Sequence, residues 1–319
     1  MILKEGLVTK STGSRYTVVS DQQEYECRIK GKLRIKGIRT TNPLSVGDVV
    51  FFSIQDELSE SGKPMGIISK LKERRNYIIR KSVNLSKESH IIAANIDQAF
   101  IVVTVNYPET TLNFIDRFLV TAEAYNIPAI VVFNKIDLYN KQEMEKVNEW
   151  FGIYHEIGYK CIGTSTKTGQ GMNELKALMQ EKISVFGGNS GVGKSSLINY
   201  VDSKLNLKTS TISEAAHKSG KHTTTFSEMF ELEMGGYIID TPGIRSFGMI
   251  DMKNDDVSHF FPEIFKLSDN CRFNNCTHTH EPGCAVKGAV ENGEIAFSRY
   301  ESYLSVLGED ENEKYRIGF

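Results

Sequence analysis

The run Ile183-Ser184-Val185-Phe186-Gly187-Gly188-Asn189-Ser190-Gly191-Val192-Gly193-Lys194-Ser195-Ser196 decides the architecture of this chain. Its first residues read as a buried strand, its last ones open a helical stretch reaching Val201, and Gly188 to Ser195 fit the pattern GxxxxGKS. That succession of strand, loop and helix is a cradle for polyphosphate. Glycines let the backbone of Gly188, Asn189, Ser190, Gly191, Val192 and Gly193 wrap a phosphate chain with its N–H groups inward, and the following helix adds its positive N-terminal end. Lys194 is expected to reach the β- and γ-phosphates, and the Ser195 hydroxyl to ligate Mg²⁺. The loop implies a nucleoside triphosphate and leaves the base open.

The base is read upstream. Asn134-Lys135-Ile136-Asp137 follows the apolar run Ala129 to Phe133, at the strand end where α/β sheets bind ligands. An aspartate there accepts from both N1–H and the exocyclic amine of guanine, and adenine offers no such pair. Asp137 therefore selects guanine, Asn134 holds the loop, and the stem of Lys135 packs over the ring. Thr164-Ser165-Thr166-Lys167 resembles the short loop that closes over guanine through backbone contacts, with Thr166 where alanine is usual. Downstream, Asp240-Thr241-Pro242-Gly243 ends the strand Tyr237 to Ile239. Asp240 is expected to hold Mg²⁺ through water and the Gly243 amide to meet the γ-phosphate. Thr223-Thr224-Thr225 lies between, with Thr224 or Thr225 the switch threonine.

A conventional GTPase runs phosphate loop, switch threonine, DxxG, NKxD and base-closing loop. Here the last two come first. Strands of a parallel sheet keep their places when only the chain breaks and joins move, so this order implies a circularly permuted GTPase. Ile244 stands where many GTPases place a water-orienting glutamine, and an apolar side chain cannot orient water. His222, beside the threonines, is the nearest polar candidate and is preferred over His217 as the catalytic residue.

Cys271-x4-Cys276-x-His278-x5-Cys284 offers three thiolates and an imidazole within 14 residues, a set suited to a closed, structural Zn²⁺ site. His280 is the other possible nitrogen ligand. Cys27 and Cys161 stand alone in strand-like runs and read as buried thiols.

The remaining chain supplies the frame. Its 319 residues, 40% hydrophobic and 24% charged, suit two or three soluble domains without a membrane span, read as cytoplasmic. Residues 1 to 81 carry 16 Lys and Arg against 9 Asp and Glu although the whole chain is at −2. Short runs at Arg15–Val19, Glu24–Ile29, Asp48–Ile54 and Met65–Ile68 predict an OB-like barrel bearing basic loops at Lys30–Arg39 and Lys70–Arg75. Beyond residue 97, strands alternate with helix-length segments, such as Leu112–Tyr125 and Met172–Met179, and predict an α/β sheet. A stripe of Phe297, Tyr300, Leu304 and Leu307 predicts a C-terminal helix. The expected division is 1–72 barrel, 73–250 permuted GTPase, and 251–319 a mainly helical zinc-binding domain.

Taken together, Asn134 to Asp137, Gly188 to Ser196, Lys221 to Thr225, Asp240 to Gly243 and the Cys271/Cys276/His278/Cys284 set resemble ribosome small-subunit-dependent GTPase A, the bacterial RsgA/YjeQ family. The resemblance implies a late assembly factor that docks on the small ribosomal subunit. It also implies rRNA contacts from barrel and zinc domain, GTP hydrolysis stimulated by the subunit, and a catalytic histidine at His222. Competing readings are a permuted GTPase of the large subunit and an RNA-binding module using nucleotide as a structural prop. A monomer is expected.

Overall fold

A computed structural model of the chain describes residues 3–29, 43–81, 89–207, 228–240 and 254–316. The described residues fall into two compact units. One draws on Met1–Ala99, Met172–Phe186 and Lys194–Gly248, the other on Phe100–Gly171, Gly187–Gly193 and Met249–Phe319.

In the first unit β1 (Lys4–Thr12), β2 (Arg15–Ser20), β3 (Gln23–Ile29), β4 (Val49–Leu58) and β5 (Pro64–Leu71) form a closed ring in the order β1-β2-β3-β5-β4, with β4 returning to β1. Only the β3–β5 pairing is parallel within it. Alternating residues point inward, as in β2, where Tyr16 and Val18 are buried between more exposed neighbours. They meet Val8, Tyr25, Cys27, Val50, Phe52 and Ile68 in one core. Closing the ring removes the unpaired edges that an open five-stranded sheet would expose. The hairpin β6 (Tyr77–Lys81) and β7 (Ser89–Ala94) follows.

Many cations of the basic N-terminal region are paired. Arg74, from the predicted basic loop, turns inward and grips fully buried Asp48 with two bonds of 2.6 Å. Lys4, Lys10, Arg15, Lys63, Lys72 and Arg75 each pair with a carboxylate. The predicted basic loop Lys30–Arg39 lies outside the described residues.

The second unit takes up the chain within β8 (Gln98–Val103) and orders its strands β10-β9-β8, with β9 (Ala129–Asn134) and β10 (Lys160–Thr164) parallel in register Lys160↔Ile130. All residues of β8 and β9 are buried, which is why they read as unbroken apolar runs. Helix α1 (Leu112–Ala124) starts at Thr111, whose side chain accepts from Phe114 N–H, and buries Ile115, Phe118, Leu119 and Ala122, while Phe114 on the same apolar stripe is only partly buried. Helix α2 (Lys141–Ile157) opens on a reciprocal Asn140/Glu143 capping box and stops at left-handed Gly158.

Back in the first unit, α3 (Met172–Met179) leads to β11 (Ile183–Gly187), then α4 (Lys194–Val201), β12 (Glu228–Glu231) and β13 (Tyr237–Asp240). Here β11 pairs parallel with β13, β13 antiparallel with β12, and β12 with barrel strand β1 through Lys10↔Glu228.

The chain ends in the second unit as α5 (Pro262–Ser268), α6 (Ala285–Glu291) and α7 (Phe297–Arg316), packed over Val120 of α1 in a core with Val257, Phe261, Ile264, Val286 and Tyr303. The α7 face differs from its predicted stripe. Arg299, Ser302, Tyr303 and Val306 are buried, Tyr300 and Leu307 flank them, and Phe297 and Leu304 are exposed. An apolar stripe cannot anticipate an inward arginine, and two carboxylates make one tolerable here. Arg299 bonds Asp116 of α1 at 2.8 Å and Glu263 of α5 at 2.7 Å, and Tyr154 of α2 donates to the same Asp116 oxygen at 2.8 Å. No helix among the described residues is long and apolar enough to cross a membrane.

Candidate nucleotide site and metal centre

Strand β9 delivers Asn134 to the phosphate loop. Its amide donates to the Val192 carbonyl at 2.8 Å, while Thr164, at the end of β10, donates to its side-chain oxygen at 3.0 Å. Asn134 is 2% exposed, so this amide is satisfied inside the protein and acts as a brace. Lys135 follows with a left-handed backbone, φ 61°. Its ammonium donates to the Gly191 carbonyl at 2.6 Å and to that of Tyr107 at 2.7 Å. Burial lowers the Lys135 pKa, and the neighbouring Asp137 charge opposes that shift. Two residues of the base loop thus clamp two consecutive carbonyls of the phosphate loop.

Gly193 shows why the clamp needs glycine. Its φ is +101°, and a Cβ there would lie 2.4 Å from the Asn134 amide nitrogen. Asp137 is exposed on the rim, where Ser165 donates to Oδ1 at 2.6 Å. The Ser165 oxygen also accepts the N–H groups of Lys167 and Thr168, which shapes the loop around partly buried Thr166. The residues expected to read the base, from β9 and β10, and the glycines Gly188 to Gly193 therefore belong to one compact unit. From Gly193 the chain runs directly into α4, whose first residues are Lys194, buried Ser195 and Ser196. Asn189 is partly buried, and the exposed turn of the loop is formed by Ser190 and Gly191.

In the first unit, Asp240 is the last residue of β13, its backbone opposite Glu228. His222, Thr223, Thr224, Thr225, Gly243, Ile244 and the alternative His217 lie outside the described residues. Sequence reasoning passed over Tyr139 and the segment after β8. Neither carries a motif, since a tyrosine hydroxyl announces its partner only once the backbone is folded.

The four expected metal ligands converge. One donor atom from each of Cys271, Cys276, His278 and Cys284 lies within 4.8 Å of the others. Cys271 and Cys284 sulfurs are 3.9 Å apart, and each stands 3.5 Å from His278 Nδ1. With Zn–S near 2.3 Å and Zn–N near 2.0 Å, a tetrahedral ion needs roughly 3.8 Å between sulfurs and 3.5 Å from sulfur to nitrogen. The donor set fits zinc. His278 is 1% exposed, its Nε2 lies 3.2 Å from the Ser268 hydroxyl, and Tyr300 holds its carbonyl at 2.7 Å. Burial lowers the His278 pKa, against the opposing charge of Glu281, which favours the neutral imidazole a ligand needs. His280 instead contacts the Thr279 hydroxyl at 2.9 Å and is outside the cluster. Burial foremost, with the neighbouring Cys284 and Cys271 adding, pushes the Cys276 thiol up to about 12; a bound dication would displace its proton.

The comparisons with known proteins fit this geometry. A family profile described as RsgA GTPase matches residues 71–250, and one for the RsgA N-terminal domain matches residues 5–60. A protein of Flavobacterium psychrophilum named small ribosomal subunit biogenesis GTPase RsgA is 54% identical over 98% of this chain and 94% of its own length. One of Bacteroides thetaiotaomicron, named small ribosomal subunit biogenesis GTPase RsgA 2, is 52% identical over 99% and 100%. Among solved structures, YjeQ from Thermotoga maritima is 35% identical with a TM-score of 0.76, covering 97% of this chain and 99% of that one. YloQ, described as a circularly permuted GTPase, is 31% identical with a TM-score of 0.75 over 98% and 96%.

Proposed function

Because the chain belongs to the RsgA GTPase family, we propose that it hydrolyses GTP as a late assembly factor of the small ribosomal subunit, in the cytoplasm and as a monomer. The observation that supports this reading is the clamp of Asn134 and Lys135 on Val192 and Gly191, which joins the segment carrying Asp137 to the GxxxxGKS loop.

In this reading Asp137 takes the guanine edge, Ser165 and Thr166 close over the base, and Gly188 to Ser196 hold the phosphates. Ser195 and Asp240 would hold Mg²⁺, which spreads charge as the γ-phosphoryl group transfers. Thr224 or Thr225 closes on the metal, Gly243 senses the γ-phosphate, and His222 positions the attacking water in place of glutamine. Zinc would staple the C-terminal helices through Cys271, Cys276, His278 and Cys284, leaving no open coordination position for catalysis. Residues 1–72, 73–250 and 251–319 then serve as barrel, GTPase and zinc segments. Lys30, Lys32, Arg34, Lys36 and Arg39, a stretch without acidic residues, supply the cations for rRNA phosphates.

Turnover of GTP by the wild type and by His222→Ala, with and without isolated small subunits at two salt concentrations, tests the proposal. Expected is slow intrinsic hydrolysis, stimulation by small subunits that weakens with salt, and a variant that binds GTP yet loses most turnover. Equal stimulation by large subunits would redirect the assignment, and an unchanged kcat in the variant would remove His222 from the chemistry.

A further inference from the structure

Asp137 sits on a short exposed loop that something must hold in shape. Asn134 ends β9, a 3₁₀ turn spans Ile136–Leu138, and Leu138 N–H donates to the Lys135 carbonyl at 3.0 Å. Tyr139 then turns back on the loop. Its hydroxyl donates to the Asn134 carbonyl at 2.8 Å and accepts the Val105 N–H at 3.2 Å. One oxygen closes the loop and ties it to the segment leaving β8. Burial pushes this phenol up to about 12, so it remains a donor throughout the neutral range.

The segment it grips is itself a closed, rigid turn. Thr110 N–H donates to the Thr104 carbonyl at 2.9 Å and Thr104 N–H to the Thr110 hydroxyl at 3.2 Å, both threonines being fully buried. From there Asn106 donates to Glu143 at the start of α2 at 2.8 Å, and the Tyr107 carbonyl receives the Lys135 ammonium. Pro108 lies 3.5 Å from the point where a Cβ on Gly191 would stand. The turn therefore touches the base loop at Tyr139 and Lys135, and shares the Lys135 ammonium with Gly191 of the phosphate loop.

We propose that Thr104 to Thr110 forms a third wall of the nucleotide site, and that Tyr139 is a positioning residue whose hydroxyl holds Asp137 at the guanine edge. This rests on the guanine-nucleotide reading above. Tyr139→Phe removes the bridging oxygen and keeps the ring, leaving the Asn134 carbonyl and Val105 N–H without that partner. The loop relaxes, and the loss falls on the base end of the ligand. A residue that merely glued the fold would weaken every nucleotide alike.

The test measures GDP, IDP and ADP affinities of the full-length wild type, Tyr139→Phe and Asn106→Ala, with thermal unfolding in parallel. Hypoxanthine lacks the exocyclic amine, so IDP offers Asp137 one donor where GDP offers two. Expected is GDP binding about tenfold weaker in Tyr139→Phe, IDP binding weakened less, a smaller shift in the same direction for Asn106→Ala, and a similar melting temperature throughout. GDP affinity equal to wild type in both variants, or GDP and IDP weakened by one common factor, overturns the positioning role. A wild type that binds GDP no better than ADP sinks the guanine reading itself.

Discussion

Two oxygens of Asp137 carry the proposed choice of base. Ser165 donates to one of them at 2.6 Å, which restricts the rotation of the carboxylate. Asp137→Asn keeps the shape and turns one acceptor into a donor. Hydrogen bonds to a charged group contribute about 1.5–3 kcal/mol, so GTP affinity should fall by roughly ten- to a hundredfold. A xanthine nucleotide, with a carbonyl where guanine has its amine, should gain. Competition titrations with the two nucleotides check this, and an unchanged ranking would remove Asp137 as the reader. At this scale the sequence was legible wherever chemistry demands one residue type at one spacing, as in Asn134, Asp137 and the loop glycines. Tyr139 escaped because its contribution is one oxygen aimed at backbone groups.

The elements around the zinc set hold together by two different means. Helix α6 starts at Cys284, whose sulfur accepts the Lys287 N–H, so a metal ligand doubles as a helix cap. Cys284→Ser should empty the metal site and loosen α5 to α7. Zinc content per chain, together with loss of helical circular dichroism, would show it; full helicity without zinc would make the ion dispensable. The second means is ionic. Arg299 is 1% exposed and Asp116 fully buried, and the guanidinium also lies 4.7 Å from the centre of the Phe261 ring. Removing one partner strands the other charge away from water, so Arg299→Met should cost about 3–5 kcal/mol. Adding Asp116→Leu should recover part of that, because the stranded charge leaves too. Denaturant titration of both variants decides, and a mild loss in the single variant would mean that water reaches the cluster.

For the whole molecule, chain order matters as much as contact. Strand β12 begins directly after the segment that carries His222, Thr224 and Thr225, and its first residue pairs with the barrel, where Lys10 meets Glu228 at 2.8 Å. The chain leaves β13 at Asp240 and enters the zinc segment a few residues past Gly243. Movement of the proposed γ-phosphate sensors would therefore be passed along the covalent chain toward both proposed RNA-contacting segments. GTP and GDP forms should bind small subunits with affinities that differ by about 5- to 150-fold, the usual span of such couplings. Sedimentation with each nucleotide measures it, and equal affinities would dismiss the switch.

The sequence alone determined that a GxxxxGKS loop, an Asn-Lys-x-Asp segment and a Cys₃His set share this chain in permuted order. Those features are local: a few residues at set spacing carry the chemistry whatever surrounds them. It also marked the barrel and the alternating α/β elements, because buried strands and helices leave a period in their apolar residues. Only the folded chain decided that Asn134 and Lys135 seize Val192 and Gly191 and that α7 turns Arg299 inward. Each of these depends on groups tens to hundreds of residues apart meeting within hydrogen-bond distance. Neither periodicity nor composition records such a meeting, since hydrogen bonding and desolvation act on positions in space.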